Sequence, residues 1–179
     1  MTGYIFKSKR LGFRNWQAAD IAKMAAINTD IEVMMFFPST QSTEVTEKFI
    51  VRMKKQYTEK GYCYFAVDRL EAHEFIGFIG LSEPIYEADF TPCVDIGWRL
   101  ARKFWNMGYA TEGAKKCLAY GFEKLSLKKV VSTAPVINKP SIQVMQKIGM
   151  NKVKYFDHPL LPDDKRLRAC VLYEINRSY

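Results

Sequence analysis

The chain has 179 residues, of which 48% are hydrophobic and 26% charged, the balance of a folded globular protein built around one core, so a single domain over 1–179 is expected. No apolar run nears the ~20 residues of a membrane-spanning helix, and the longest, Phe75 to Leu81, is the size of a strand. The formal charge of +8 suits an anionic ligand or a solvated basic surface, but its clusters, Lys7/Lys9/Arg10 and Lys124/Lys128/Lys129, are too short for a nucleic-acid-binding tail.

The first strand is predicted over Ile5–Phe6 and Leu11–Phe13, and a helix starts near Asp20, a good N-cap. A second helix is expected from Thr43 to Glu59, with Val45, Phe49 and Met53 at helical spacing and Gly61 beyond its end. Strands follow at Cys63–Val67, Glu74–Leu81 and Cys93–Leu100. A helix over about Tyr109–Leu125 carries Ala114, Cys117, Leu118 and Phe122 on one face. Then come a strand at Lys129–Val136, a short helix at Ser141–Ile148 ended by Gly149, and strands near Lys152–Phe156 and Leu167–Ile175. The order β-α-α-β-β-β-α-β-α-β-β has too few βα repeats for a doubly wound sheet and predicts an α/β fold with a mixed, largely antiparallel sheet.

The four cysteines (Cys63, Cys93, Cys117, Cys170) form no CxxC pair and read as reduced packing residues. With only His73 and His158, which have no recognisable partners, no metal site is expected. The N-terminal order Met-Thr-Gly-Tyr-Ile-Phe-Lys lacks the basic-then-apolar layout of a signal peptide, which makes the cytoplasm the expected location.

The most informative stretch runs from Asp95-Ile-Gly-Trp98 through Trp105-Asn-Met-Gly-Tyr-Ala-Thr-Glu112: a strand, a tight loop and a helix start. Free backbone N–H groups at a helix N-terminus, with the helix dipole behind them, favour an anion. Arg102 and Lys103 add positive charge. An ordinary β-to-α turn has the same outline.

This segment resembles the coenzyme-A-binding motif of the GCN5-related N-acetyltransferases (GNAT), Gln/Arg-x-x-Gly-x-Gly/Ala, and within them the ribosomal-protein-alanine N-acetyltransferase branch. Arg10-Leu11, Phe75 to Leu81, Asn138-Lys-Pro-Ser141, Met145 to Met150 and Phe156-Asp-His-Pro159 agree in order. The resemblance implies an acyl-CoA N-acyltransferase fold, its sheet splayed between the fourth and fifth strands and its helices on both faces. It also implies acetyl-CoA as cosubstrate, an amine acceptor such as a protein N-terminus, a polyamine or an antibiotic, and a homodimer through the late strands.

By the same resemblance the pantetheine arm runs beside Trp98, Arg99 and Leu100. The pyrophosphate is wrapped by Arg102, Lys103, Phe104, Trp105, Asn106, Met107, Gly108, Tyr109, Ala110 and Thr111. Asn138 contacts the thiol end, while its plain reading is a helix cap. Three positions depart from the pattern. Asn106 replaces the first glycine, and Asn is the least costly substitute in a left-handed backbone. Lys103 stands at the Gln/Arg position, and Asp95 replaces the usual Glu.

Direct acetyl transfer needs a neutral amine and an acid for the departing thiolate. Relatives carry a Tyr acid where this chain has Met145, so the role passes to Ser141. Asp95 and Glu112 are the candidate bases, Glu112 reading equally as a charge that suits the helix N-terminus. The stretch Met34–Phe37 reads either as core packing or as a wall of the acceptor site, and Tyr173 as an acceptor-side or a buried residue. The resemblance also leaves room for a protein that keeps coenzyme A but lacks turnover.

Overall fold

The computed structural model describes residues 3–177. Its strands and helices are β1 (Phe6–Lys7), β2 (Leu11–Arg14), α1 (Asp20–Thr29), α2 (Thr43–Lys60), β3 (Tyr64–Arg69), β4 (Glu74–Ser82), β5 (Asp95–Leu100), α3 (Tyr109–Glu123), β6 (Lys129–Pro135), α4 (Lys139–Lys147), β7 (Asn151–Asp157) and β8 (Ala169–Asn176). A short 3-10 turn at Arg102–Phe104 joins β5 to α3. The eight strands form one sheet in the order β1-β2-β3-β4-β5-β6-β8-β7. Every pairing is antiparallel except β5 with β6.

The expected first strand is a hairpin of two, β1 and β2, because residues 8–10 turn the chain and set Phe6 opposite Phe13. Two local readings are corrected. Asp20 is the first helical residue and makes no cap bond; its carboxylate takes the buried Arg14 guanidinium at 2.6 and 2.9 Å. The same carboxylate also accepts the Gln17 amide at 2.8 Å, so it points back to the segment before the helix and to Arg14, and not to the amides of the first turn. On α2 the buried stripe is Thr46, Ile50 and Met53, with Val45 turned to solvent. Asn28 of α1 donates to Thr46 Oγ1 at 2.9 Å and turns that polar residue inward, one position away from the apolar stripe.

Helices cover both faces of the sheet. Gly113 brings α3 so close that a Cβ there would sit 2.3 Å from Ile79 Cδ1. On the opposite face Trp16 meets Phe49 of α2 and Phe75 of β4 edge-on, and Phe49 packs on Phe78. Ile79 and Trp98 therefore share the α3 face, whereas Phe78 and Arg99, their neighbours along β4 and β5, share the α1–α2 face. All four cysteines are free, and Cys63, Cys117 and Cys170 are buried.

Candidate active site

The site begins where β5 and β6 part. The two strands share one bridge, Asp95 with Val131, at which the Val131 N–H donates to the Val94 carbonyl at 2.9 Å. Ser132 then donates its hydroxyl to the Ile96 carbonyl at 2.9 Å. Beyond it, no strand pairs with Gly97–Leu100 on that side among the described residues. Backbone groups alternate between the edges of a strand, so Trp98, two residues past Ile96, presents its N–H and C=O to the opening. The Leu100 carbonyl is taken by the Trp105 indole at 2.9 Å. The result is a short open sheet edge that an extended amide-bearing chain can join. The sheet is splayed between the strands corresponding to the fourth and fifth of the sequence reading.

At the far end of β5 the chain forms an anion cradle. Asn106 (φ 59°) and Gly108 (φ 78°) both lie in the left-handed region, and Gly108 caps α3. The first departure from the glycine pattern thus falls at a position whose backbone asparagine tolerates. The amides of residues 106–111 find no backbone acceptor among the described residues. Arg102 pairs with Glu32 at 2.7 Å and Lys103 with Glu74 at 2.5 Å. The amides fit a pyrophosphate group, being unengaged at a helix N-terminus with an open strand edge leading inward, while the two nearby cations are already held by carboxylates.

Glu112 is a tie within the fold. It accepts from Ser8 Oγ (2.6 Å), the Arg10 amide (2.8 Å) and Arg10 Nε (2.6 Å), fastening the β1–β2 hairpin to α3. Burial alone would raise its pKa, but these donors outweigh burial and hold it below the usual value. Such a carboxylate is a poor base.

Asp95 differs. It lies half-buried on the floor of a cleft of about 200 Å³, and Tyr64 donates its hydroxyl to the carboxylate, with both oxygens within reach at 2.7 and 2.8 Å. Burial pushes its pKa up to about 7, against the opposing effect of the Tyr64 hydrogen bond. Burial and the Asp95 charge push Tyr64 well above its ordinary value, which keeps it a donor. Ser141, Asn138 and Met145 line the same cleft from α4 and its cap. Asn138 caps α4, its side-chain oxygen accepting from the Ser141 amide at 3.2 Å, so its amide nitrogen still has two protons to donate. The Ser141 hydroxyl has no protein partner among the described residues.

Phe36 and Phe37 complete the wall, and Arg166 from the β7–β8 loop holds their segment by donating to the Met35 and Phe37 carbonyls. The stretch Met34–Phe37 thus serves in both readings: Met34 is core and the two phenylalanines are wall. Tyr173 is buried and accepts from Gln146 at 3.3 Å, and it does not line the cleft. His158 packs on the Tyr86 ring, and His73 sits in the β3–β4 turn near Tyr4. The sequence pattern did not reveal Tyr64 or the roof over Arg99, because both contacts join residues far apart in the chain.

Residues 10–151 match the family model described as an acetyltransferase (GNAT) domain, and the chain belongs to that family. Its members are acetyl-CoA-dependent acyltransferases, and this chain is an enzyme of that class. It is 31% identical over 150 residues to the N-acetyltransferase YnaD of Bacillus subtilis, covering 83% of this chain and 84% of that one. A GNAT-family acetyltransferase structure from Bacillus anthracis superposes with a TM-score of 0.78 at 26% identity, over 95% of this chain and 96% of the other. Two more distant structures share the fold alone. Ribosomal-protein-S5-alanine acetyltransferase from Vibrio fischeri has a TM-score of 0.76 at 14% identity, covering 96% and 95% of the two chains. Spermidine N-acetyltransferase from Vibrio cholerae, solved with CoA and spermine, has 0.73 at 18%, covering 93% and 95%. The same fold therefore occurs in proteins named for a ribosomal-protein acceptor and for a polyamine, and the choice between such acceptors rests on this chain's own residues.

Proposed function

We propose that this enzyme acetylates a primary α-amine, that of a peptide or protein N-terminus, by direct transfer within the cleft between β5 and β6. The supporting observation is Asp95: a carboxylate held by Tyr64 at the point where the strands part, with its pKa raised to about 7. A general base works best with a pKa near the operating pH. It also suits the acceptor. An α-amine with a pKa near 8 is roughly 10% neutral at pH 7, whereas a lysine amine is about 0.04% neutral, so a modest base suffices only for the first.

Bound acetyl-CoA supplies the activated thioester. The cradle at 106–111 binds its pyrophosphate through those amides, Arg102 and Lys103 adding charge only by exchanging Glu32 and Glu74 for it, and the open Trp98–Leu100 edge orients its pantetheine arm. Asp95 takes the proton from the attacking amine. Ser141, at the N-terminal turn of α4, hydrogen-bonds the departing sulfur, a role left open by Met145, and Asn138 aligns the same end. The guanidinium of Arg99 on the acceptor side opposes a polycation, which argues against polyamines.

A thiol-release assay over peptide α-amines, lysine, spermidine and an aminoglycoside tests the reading. Peptide α-amines are expected to lead, and Ser141→Ala to lower kcat by roughly tenfold with little change in KM. A preference for spermidine or the aminoglycoside overturns the acceptor, and an absence of thiol release with every amine overturns the activity.

A further inference from the structure

Arg99 stands out among the groups that the proposed chemistry leaves unused. Its guanidinium lies in the same cleft as Asp95, between the rings of Phe37 (4.2 Å to the centroid) and Phe78 (5.5 Å). Both of its hydrogen bonds go to neutral amide oxygens, Asn28 Oδ1 at 2.6 Å and Gln41 Oε1 at 3.3 Å. Its Nε is buried and without any partner. No carboxylate pairs with this half-buried arginine among the described residues, although the fully buried Arg14 has two. A cation drawn partly out of water, with its Nε fully buried and unpaired, is costly, and chains seldom keep one that nothing completes. Burial indeed draws its pKa down to about 10, still far above neutrality, so the charge persists at pH 7.

The cosubstrate is not the missing partner. The pyrophosphate cradle opens at the N-terminus of α3, on the sheet face that holds Ile79 and Trp98, whereas Arg99 projects to the face covered by α1 and α2. On that side lie the phenylalanine wall and Asp95, where the acceptor must enter.

We infer that Arg99 binds a carboxylate of the acceptor, so that the preferred substrate is an acid-bearing primary amine, its ammonium end facing Asp95 and its carboxylate facing Arg99. The inference rests on the α-amine reading above and narrows it. Asp95 and Arg99 lie four residues apart on one strand, about 13 Å between their Cα atoms. The acid group therefore lies several bonds from the amine: the side chain of an acidic residue at or next to a peptide N-terminus, or the far carboxylate of a small amino acid. Asn28 and Gln41 hold the guanidinium from behind, and Phe37 and Phe78 exclude water around it, conditions in which an arginine–carboxylate pair is strongest.

Matched pairs that differ only in one charge provide the test. Initial rates of thiol release are measured with Glu-Ala-Ala amide against Gln-Ala-Ala amide, Ala-Glu-Ala amide against Ala-Gln-Ala amide, and free glutamate against glutamine. The wild-type enzyme is expected to favour the acidic member of at least one pair by about tenfold or more in kcat/KM, chiefly through KM. The peptide pairs and the free amino acids tell the two sources of the carboxylate apart. Arg99→Gln is expected to bring that ratio to about one by raising the KM of the acidic member far more than that of the neutral one, and Arg99→Lys to restore part of it. Equal rates within every wild-type pair overturn the inference without any variant. So does an Arg99→Gln enzyme that slows acidic and neutral members alike, the mark of a purely structural arginine. Acetylation of α-amines with indifference to acid sinks this inference alone; failure on all α-amines sinks the reading beneath it.

Discussion

Asp95 carries two consequences that oppose one another. Its carboxyl titrates near 3.8 when solvated and near 7 in the folded protein, so the native state holds the proton more tightly. The folded state is favoured below pH about 4, and that advantage is lost as pH rises through 7. Asp95→Asn removes the titration. The variant is expected to gain stability relative to wild type between pH 5 and pH 8, read from urea melts at both. Its kcat for a peptide α-amine is expected to fall by roughly 10²-fold, and the kcat–pH profile to lose its limb near pH 7. An enzyme that keeps its rate and its limb has its base elsewhere. Glu112 offers no such trade-off, since Ser8 and Arg10 already occupy its carboxylate.

At the scale of elements, the loop between β5 and α3 depends on two left-handed residues. Gly108 at φ 78° admits no side chain without strain, so Gly108→Ala is expected to cost about 1–2 kcal/mol of stability and to raise the KM for acetyl-CoA. Asn106→Gly, at φ 59°, should leave both nearly unchanged. Thermal melts and acetyl-CoA titrations of the pair check this; equal damage from both would mean that backbone conformation is not what matters there. This loop was legible in the sequence because its chemistry is local: glycine, asparagine and a helix start lie within a few residues. Most strands and helices were legible for the same reason, through short-range periodicity. What escaped were partners set by the sheet. Tyr64 reaches Asp95 across 31 residues, Asn28 reaches Arg99 across 71 and Ser8 reaches Glu112 across 104, and no spacing rule signals such meetings. Thr46 escaped too, since its inward turn depends on a single hydrogen bond from another helix.

On the scale of the whole molecule, the charge of +8 has no single seat. Many cations are spent locally: Arg10 on Glu112, Arg14 on Asp20 and Asp68, Arg102 on Glu32 and Lys103 on Glu74. Arg99, half-buried in the cleft, waits without an acid among the described residues, which makes it a better guide to ligand choice than the total. Under the proposed assignment the cosubstrate enters beside α3 and the acceptor along the phenylalanine wall under α1 and α2, on opposite faces of the sheet. Neither occupant has to leave for the other to enter. No thiol stands ready to carry the acetyl group between visits, since Cys63, Cys117 and Cys170 are buried and burial pushes Cys93 up to about 11. Initial-velocity plots at varied acetyl-CoA and amine are therefore expected to intersect, the pattern of a ternary complex; parallel lines would mean that the protein itself is acetylated on the way. A sheet whose strands part at the middle is, in kinetic terms, a meeting room with separate entrances, in which both guests must be present at once.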